Sequence, residues 1–243
     1  MMATVKKIAL VTGANKGIGL EICRQLAQQG MTVWLATRSL AAGEQAAQVL
    51  RDEGLDVFAL RIDMDDASSF DAAFDLIAQQ YGHLDVLVNN AGFANDWSFT
   101  VADIPMQMLR ETFDTNFFAH VALTQKFLPL LKQSTAGRIV NQSSALGSLT
   151  LHSTPEAKMG DLKPFAYDSS KTALNAFTVH LAHALRDTKI KVNSAHPGAV
   201  LTDANPYGTL SVAEGARSAV LLATLPDDGP SGQFFHLEHA LPW

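Results

Sequence analysis

Ile8 to Thr12 is a short apolar run that stops at a glycine, and Thr12-Gly13-Ala14-Asn15-Lys16-Gly17-Ile18-Gly19 follows directly. Ile18, Ile22 and Leu26 then recur at helical spacing until Gly30. An unbroken apolar run of this length is what a parallel strand buried on both faces looks like. Strand, glycine turn and helix make the unit that holds a dinucleotide. Glycines let the backbone turn sharply and approach a pyrophosphate, and the helix N-terminus offers free N–H groups and a positive dipole end. The spacing is G-x-x-x-G-x-G, not G-x-G-x-x-G, and Leu20 stands where a P-loop needs Lys-Ser/Thr. An ordinary glycine-rich turn is the competing reading, and the strand and helix on either side argue against it. Gly13, Asn15, Lys16, Gly17, Ile18 and Gly19 are the candidate cofactor contacts.

The same alternation continues. Thr32–Thr37 reads as a second strand, Leu40–Glu53 as a helix stopped by Gly54, and Val57–Ile62 as a third strand ending at Asp63-Met64. Ser68 is the expected N-cap of a helix running to Tyr81. Val86–Val88 forms a fourth strand that ends in Asn89-Asn90-Ala91-Gly92. Phe93–Ile104 is a loop with two aromatics, Phe93 and Trp97. Helical spacing marks Met106–Phe113 and Asn116–Leu131, and Asn116 is a polar residue near the start of that second helix. Arg138–Gln142 is a fifth strand ending in Ser143-Ser144, and Ile190–Ala195 a sixth ending in His196-Pro197-Gly198. Ser211–Leu225 reads as the last helix and Gln233–Leu237 as the last strand. Alternation at short loop lengths implies a parallel sheet with helices on both faces, and ligands at the carboxyl ends of its strands. With no repeat, low-complexity stretch or linker, residues 1–243 form a single α/β domain of about seven strands.

The acidic residue expected about 20 positions beyond the glycine turn for an NAD ribose is missing. Ala36-Thr37-Arg38-Ser39 stands there, and Lys16 adds a second cation. Two cations with no competing carboxylate favour a phosphate-bearing ribose, hence NADP(H). The competing reading leaves both as solvated surface charges.

Tyr167 and Lys171 lie four residues apart on a helix that Pro164 starts and Leu174, Phe177, Leu181 and Leu185 continue. That spacing puts phenol and ammonium side by side. A fixed cation lowers a phenol pKa from its ordinary value near ~10. A shift of about three units needs roughly 4 kcal/mol, more than one ammonium supplies, so an oxidised nicotinamide is expected to contribute. A surface Tyr-Lys turn is the alternative, and the dinucleotide unit decides against it.

Composition bounds the rest. Net charge is −6, hydrophobic residues are 47% and charged residues 17%. These values suit a folded core and argue against nucleic acid or an anionic membrane as main partner. The single cysteine, Cys23, excludes an intramolecular disulfide and a cysteine zinc site. His180 with His183, and His236 with His239, lack a third suitably spaced ligand, so no metal is expected. Met1–Lys7 carries no signal-peptide stretch, and no run reaches 18 apolar residues. The expected location is the cytoplasm.

Thr12-Gly13-x-x-x-Gly17-x-Gly19, Asp63, Asn89-Asn90-Ala91-Gly92, Asn116, Ser144, Tyr167-x-x-x-Lys171 and Pro197-Gly198-x-x-x-Thr202 resemble, in order, the motifs of the short-chain dehydrogenase/reductases. The glycine loop and the Ala36-Thr37-Arg38 ending look most like the NADPH-dependent carbonyl reductases. The resemblance implies a Rossmann-type doubly wound sheet and a role for each matching residue. Tyr167 would be general acid in reduction, and Lys171 would lower its pKa and bind the nicotinamide ribose. Ser144 would hold the substrate oxygen, and Asn116 would position a relay water. Asp63 and Met64 would meet the adenine, Asn90, Ala91 and Gly92 the adenosine ribose side, and Pro197, Gly198, Val200 and Thr202 the carboxamide. Reduction of an aldehyde or ketone is the expected activity. Oxidation of an alcohol or hydroxysteroid on the same site, and a non-catalytic NADP sensor, are the alternatives.

One departure stands out. Ser144 and Tyr167 are separated by about ten more residues than in many family members. The extra segment, roughly Thr150–Lys163, reads equally as a substrate wall or a tolerated surface insertion. Family members tend to pair through the helices around Asn116 and Tyr167, so assembly as monomer, dimer or tetramer stays open.

Overall fold

The computed structural model describes residues 6–154 and 163–243. The first half alternates strictly: β1 (Ile8–Thr12), α1 (Gly17–Gln28), β2 (Thr32–Thr37), α2 (Leu40–Asp52), β3 (Val57–Arg61), α3 (Ser68–Tyr81) and β4 (Val86–Asn89). Then come α4 (Met106–Phe113), α5 (Ala119–Gln133), β5 (Arg138–Gln142), α6 (Leu149–Ser153) and α7 (Phe165–Ala184). β6 (Lys191–Ala195), α8 (Val212–Ala223), β7 (Phe234–His236) and β8 (His239–Ala240) complete the order.

The strands lie in the order β3-β2-β1-β4-β5-β6-β7-β8. Every pair is parallel except β7–β8. The order reverses between β1 and β4, the place where a crevice opens in a doubly wound sheet. Period-two alternation sorts the strand residues into two cores. Ala9, Val11, Val33, Leu35 and Val88 face α1, α2 and α8, through Ile22, Leu26, Leu50, Ala219 and Leu222. Ile8, Leu10, Trp34, Leu87 and Ile139 face α3, α5 and α7, through Phe70, Ile77, Leu123, Phe127 and Ala182. Each fully buried Leu, Ile or Phe contributes about 1.5–3 kcal/mol relative to exposure.

Three sequence expectations change. Ser68 is the first helical residue rather than the N-cap, and its hydroxyl bonds Asp66 at 2.5 Å instead of a helix N–H. The sheet gains an eighth strand, two residues long, because the chain turns at Leu237 (φ +54) and pairs back on β7. Asn116 does not begin a helix. It lies inside a π turn, Asp114–Phe118, that joins α4 to α5 as one helical run. The extra residue of that turn points a polar side chain into the interior. Of the extra segment, α6 is helical and positions 155–162 lie outside the described residues.

Candidate active site

The glycine turn is braced from behind and bare in front. Gly13 sits at φ +62, and a Cβ there would lie 2.8 Å from Ala91 Cα. A Cβ on Gly19 would lie 2.6 Å from both Asn90 Nδ2 and Gly13 O. Thr12 Oγ1 accepts the Asn90 and Ala91 N–H groups, each at 3.0 Å, and Asn90 Nδ2 donates to Thr12 O at 2.8 Å. Facing the other way, α1 begins without a side-chain cap and without an acidic residue in its first turn. Its first N–H groups point toward a cleft of about 850 Å³. Close backbone packing plus an uncapped helix N-terminus is the donor set a dinucleotide phosphate requires.

The cleft gathers most of the sequence candidates. Gly13, Lys16, Gly17, Ile18 and Gly19 line it, as do Asn90 and Gly92. Ser144, Tyr167 and Lys171 line it as well, with Pro197, Gly198, Val200 and Thr202; Thr202 comes close to Gly17, and Lys171 to Gly92. Six candidates do not line it. Asn15 Oδ1 accepts the Thr37 hydroxyl at 3.3 Å and fastens the loop to β2. Ala91 supports the loop from behind. Arg38 is exposed at the end of β2. Asp63 pairs with Arg61 at 3.3 Å and accepts the Asp65 N–H at 3.3 Å, while Met64 packs on the α3-side core. Asn116 is fully buried: its Oδ1 accepts the Phe93 N–H at 3.0 Å, and its Nδ2 donates to Phe93 O at 2.8 Å.

Ser144 lies two residues past β5 and caps a short turn, Ala145–Gly147, by accepting the Leu146 N–H at 3.2 Å. Lys171 is buried on the first part of α7, and its Nζ donates to Gln142 O at 2.8 Å. It lies 5.7 Å from the Tyr167 ring centroid. The pKa order departs from expectation. Burial pushes the Tyr167 phenol up to about 12; Ser144 pulls it down and the Asp168 charge adds to the rise. Burial also pushes Lys171 down to about 8. Desolvation disfavours both charged forms, and it outweighs the attraction that the four-residue spacing suggested.

The cleft also holds contacts that the sequence did not show. Lys16, read there as free of a competing carboxylate, pairs with Asp203 at 2.7 Å. Both side chains are mostly exposed, so the pair is weak and a phosphate can displace it. His196 Nδ1 accepts the Ala145 N–H at 3.2 Å and so holds the Ser144 turn against β6. Burial, with the neighbouring His236, pushes its imidazole down to about 4. Its only sequence signal was its place between a strand end and Pro197-Gly198. Phe93 and Trp97 both line the cleft, and the Trp97 ring lies 6.2 Å from that of Tyr167. Among the described residues no cluster of three His, Cys, Asp or Glu side chains is arranged to hold a metal.

Known proteins carry the same frame. The family model for short chain dehydrogenases matches residues 7–209. Mouse (Mus musculus) carbonyl reductase [NADPH] 1 is 36% identical, with 100% of each chain covered. The (+)-neomenthol dehydrogenase of Capsicum annuum is 33% identical, with 96% of each covered. The crystal structure of NADPH-bound carbonyl reductase from chicken fatty liver superposes with a TM-score of 0.84 at 27% identity, covering 99% of this chain and 100% of that one. With its motifs, its sheet order and these relatives in agreement, the chain belongs to the short-chain dehydrogenase family.

Proposed function

We propose that this protein is an NADP(H)-dependent oxidoreductase that reduces an aldehyde or ketone to an alcohol. The observation that carries the reading is that Ser144, Tyr167 and, one turn on, Lys171 line the same cleft as the uncapped N-terminus of α1. The names of the mouse and chicken relatives support NADPH as the cofactor. The bare α1 terminus would hold the pyrophosphate. Lys16 and Arg38 would meet the ribose phosphate, with Lys16 leaving Asp203. Asp63 and Met64 would flank the adenine, and Pro197, Gly198, Val200 and Thr202 the carboxamide. When bound, the cofactor supplies the hydride; the protein orients and polarises.

Hydride addition at a carbonyl carbon puts negative charge on its oxygen. The Tyr167 and Ser144 hydroxyls would stabilise that charge, and Tyr167 would give the oxygen its proton. A phenol held near 12 carries that proton throughout the neutral range, which favours reduction. Lys171 would hold the nicotinamide ribose. Asn116 positions the Phe93 backbone and would order a relay water on the Lys171 side. The Capsicum relative's name supports the reverse reaction, alcohol oxidation, on the same groups. A sensor that only binds NADP has no need of all four of Asn116, Ser144, Tyr167 and Lys171.

The test follows NADPH consumption with a panel of aldehydes, ketones and quinones. At least one is expected to turn over, and Tyr167→Phe is expected to lose about 10²–10⁴-fold in kcat while NADPH binding stays within a few-fold. A Tyr167→Phe protein with full turnover refutes the assignment of the acid.

A further inference from the structure

The Ser144 hydroxyl is only as well placed as the backbone that carries it. The peptide unit between Ser144 and Ala145 is planar, so one hydrogen bond on each of its edges fixes its orientation. On one edge Ser144 O accepts the Gly147 N–H at 2.8 Å, inside the turn. On the other the Ala145 N–H donates to His196 Nδ1 at 3.2 Å. The far end of the turn is tied to α7, the helix of Tyr167: Gly147 O accepts Thr172 Oγ1 at 3.0 Å and Asn175 Nδ2 at 3.2 Å. The near end is tied to the residue just past β6, His196.

His196 is itself held from the next strand. Its own N–H donates to Phe235 O at 2.7 Å, and its O accepts from His236 Nδ1 at 3.0 Å. A carbonyl oxygen only accepts, so His236 carries a proton on Nδ1. A backbone N–H only donates, so His196 Nδ1 is bare and the proton of its neutral ring sits on Nε2. The two rings, with centroids 5.1 Å apart, therefore present opposite nitrogens for donation. Burial, and then His236, keep the His196 imidazole neutral around pH 7. After His236, the Leu237 N–H donates to Ser218 Oγ of α8 at 2.8 Å. A chain of contacts thus runs from α8 through both histidines to the peptide that follows Ser144.

We propose that His196 is a positioning residue for Ser144: its bare Nδ1 holds the Ala145 N–H and so aims the Ser144 hydroxyl at the substrate oxygen. The proposal rests on Ser144 as the group that holds that oxygen. Ser144 Oγ accepts the Leu146 N–H, which leaves its single proton to be donated into the cleft. Where that proton points follows from the backbone at residues 144–146. Without an acceptor at position 196 the Ala145 N–H is an unmet donor, and the peptide gains by turning toward water in the cleft. The loss then falls on the reacting geometry, while the glycine turn that would hold the cofactor phosphates is left alone.

The hydrogen bond can be read without turnover. Nitrogen-15 spectra of the histidine-labelled parent at pH 7, without substrate or cofactor, are expected to show His196 protonated on Nε2 alone and His236 on Nδ1. The Ala145 amide should be protected from deuterium exchange in the parent and in His196→Asn, whose Oδ1 stands where Nδ1 stood. In His196→Leu it should exchange about tenfold faster or more. With the carbonyl of the panel that turns over fastest, kcat is expected to fall about 10–100-fold in His196→Leu. His196→Asn should stay within about threefold of the parent, and both variants should bind NADPH within about twofold of it in fluorescence titration. In a Ser144→Ala background His196→Leu should cost nothing further, since its effect passes through Ser144. A proton on His196 Nδ1, or an Ala145 amide that exchanges alike in all three proteins, overturns the hydrogen bond. Equal kcat in the Asn and Leu variants, or an undiminished loss in the Ser144→Ala background, overturns the positioning role. Should His196→Leu fail to fold, the parent spectrum and the kcat of His196→Asn decide, and an Asn variant that loses as much as about tenfold overturns the role. Absence of turnover on every carbonyl removes the functional reading and the role with it, while the spectra still uphold or overturn the bond.

Discussion

Burial works against charge on both members of the Tyr167-Lys171 pair, with the phenol held near 12 and the ammonium near 8. The pair is therefore set to begin from a protonated tyrosine. Two further cations stand near the glycine turn, one lining the cleft and one at the end of β2. Arg38 is exposed and Lys16 is held only by an exposed partner, Asp203. Arg38→Asp is expected to weaken NADPH binding about 10–100-fold, and NADH binding much less, measured by fluorescence titration. Equal loss for both nucleotides would deny Arg38 a part in recognising the phosphate. At this scale the sequence was informative where function needs fixed spacing along one helix or one loop. Tyr167, Lys171, Ser144 and the glycines fall where their motifs put them. Asp96 and Asp203 were invisible because their partners, Ala166 and Lys16, lie 70 and 187 positions away, and no local pattern records such a contact.

The elements below the cleft are joined by a buried polar ladder. Asn89 Nδ2 donates to Asn141 Oδ1 at 2.8 Å and to Thr124 Oγ1 at 2.9 Å. Asn141 Nδ2 donates to Thr178 Oγ1 at 2.8 Å, and Thr178 meets Ser194 at 2.8 Å. The ladder links β4, β5 and β6 to α5 and to α7, the helix that carries Tyr167 and Lys171. Asn141→Leu keeps the volume but removes the middle rung. It is expected to cost about 1–3 kcal/mol in denaturant unfolding, and an unchanged midpoint would show that the ladder does not stabilise the fold. The strands and helices themselves were legible, because apolar runs and 3.6-residue periodicity reflect burial directly. The π turn at Asn116 was not, since one inserted residue leaves the apolar periodicity of α4 and α5 nearly intact. The two-residue β8 carries too little sequence to signal anything.

For the molecule as a whole, buried titratable groups set opposing pH dependences. Burial lowers His120 to about 3 and His196 to about 4. The unfolded chain binds protons at these sites from about pH 6.5 downward while the folded chain does not, so stability falls as pH drops from there toward 4. Asp168 has the reverse sign. Its folded carboxyl stays protonated up to about 7, so stability falls as pH rises from about 4 to 7 and then levels. Asp168→Asn is therefore expected to raise Tm at pH 8 more than at pH 5, by a few degrees in calorimetry. Equal shifts at both pH values would contradict the raised carboxyl. Fold class, sheet edge and cleft were readable because alternating strands and helices admit few topologies. These acid–base balances were not, because they depend on which side chains the finished fold leaves dry.

The reversal of strand order between β1 and β4 also bears on how the molecule forms. Asp85 bonds Ile8 across 77 positions, accepting its N–H at 2.8 Å, and the Thr12 hydroxyl spans 78 positions to Asn90. The units β1-α1-β2-α2-β3 can assemble from neighbouring segments, whereas this seam closes a long loop and so comes late. The glycine turn follows β1 on one side of the seam, and Ser144, Tyr167 and Lys171 follow β5 on the other. During synthesis the glycine turn is thus made as chain well before Ser144, Tyr167 and Lys171 are. The cleft is whole only when the two half-sheets meet along β1 and β4, so its closure depends on the pairing of longest sequence separation in the sheet.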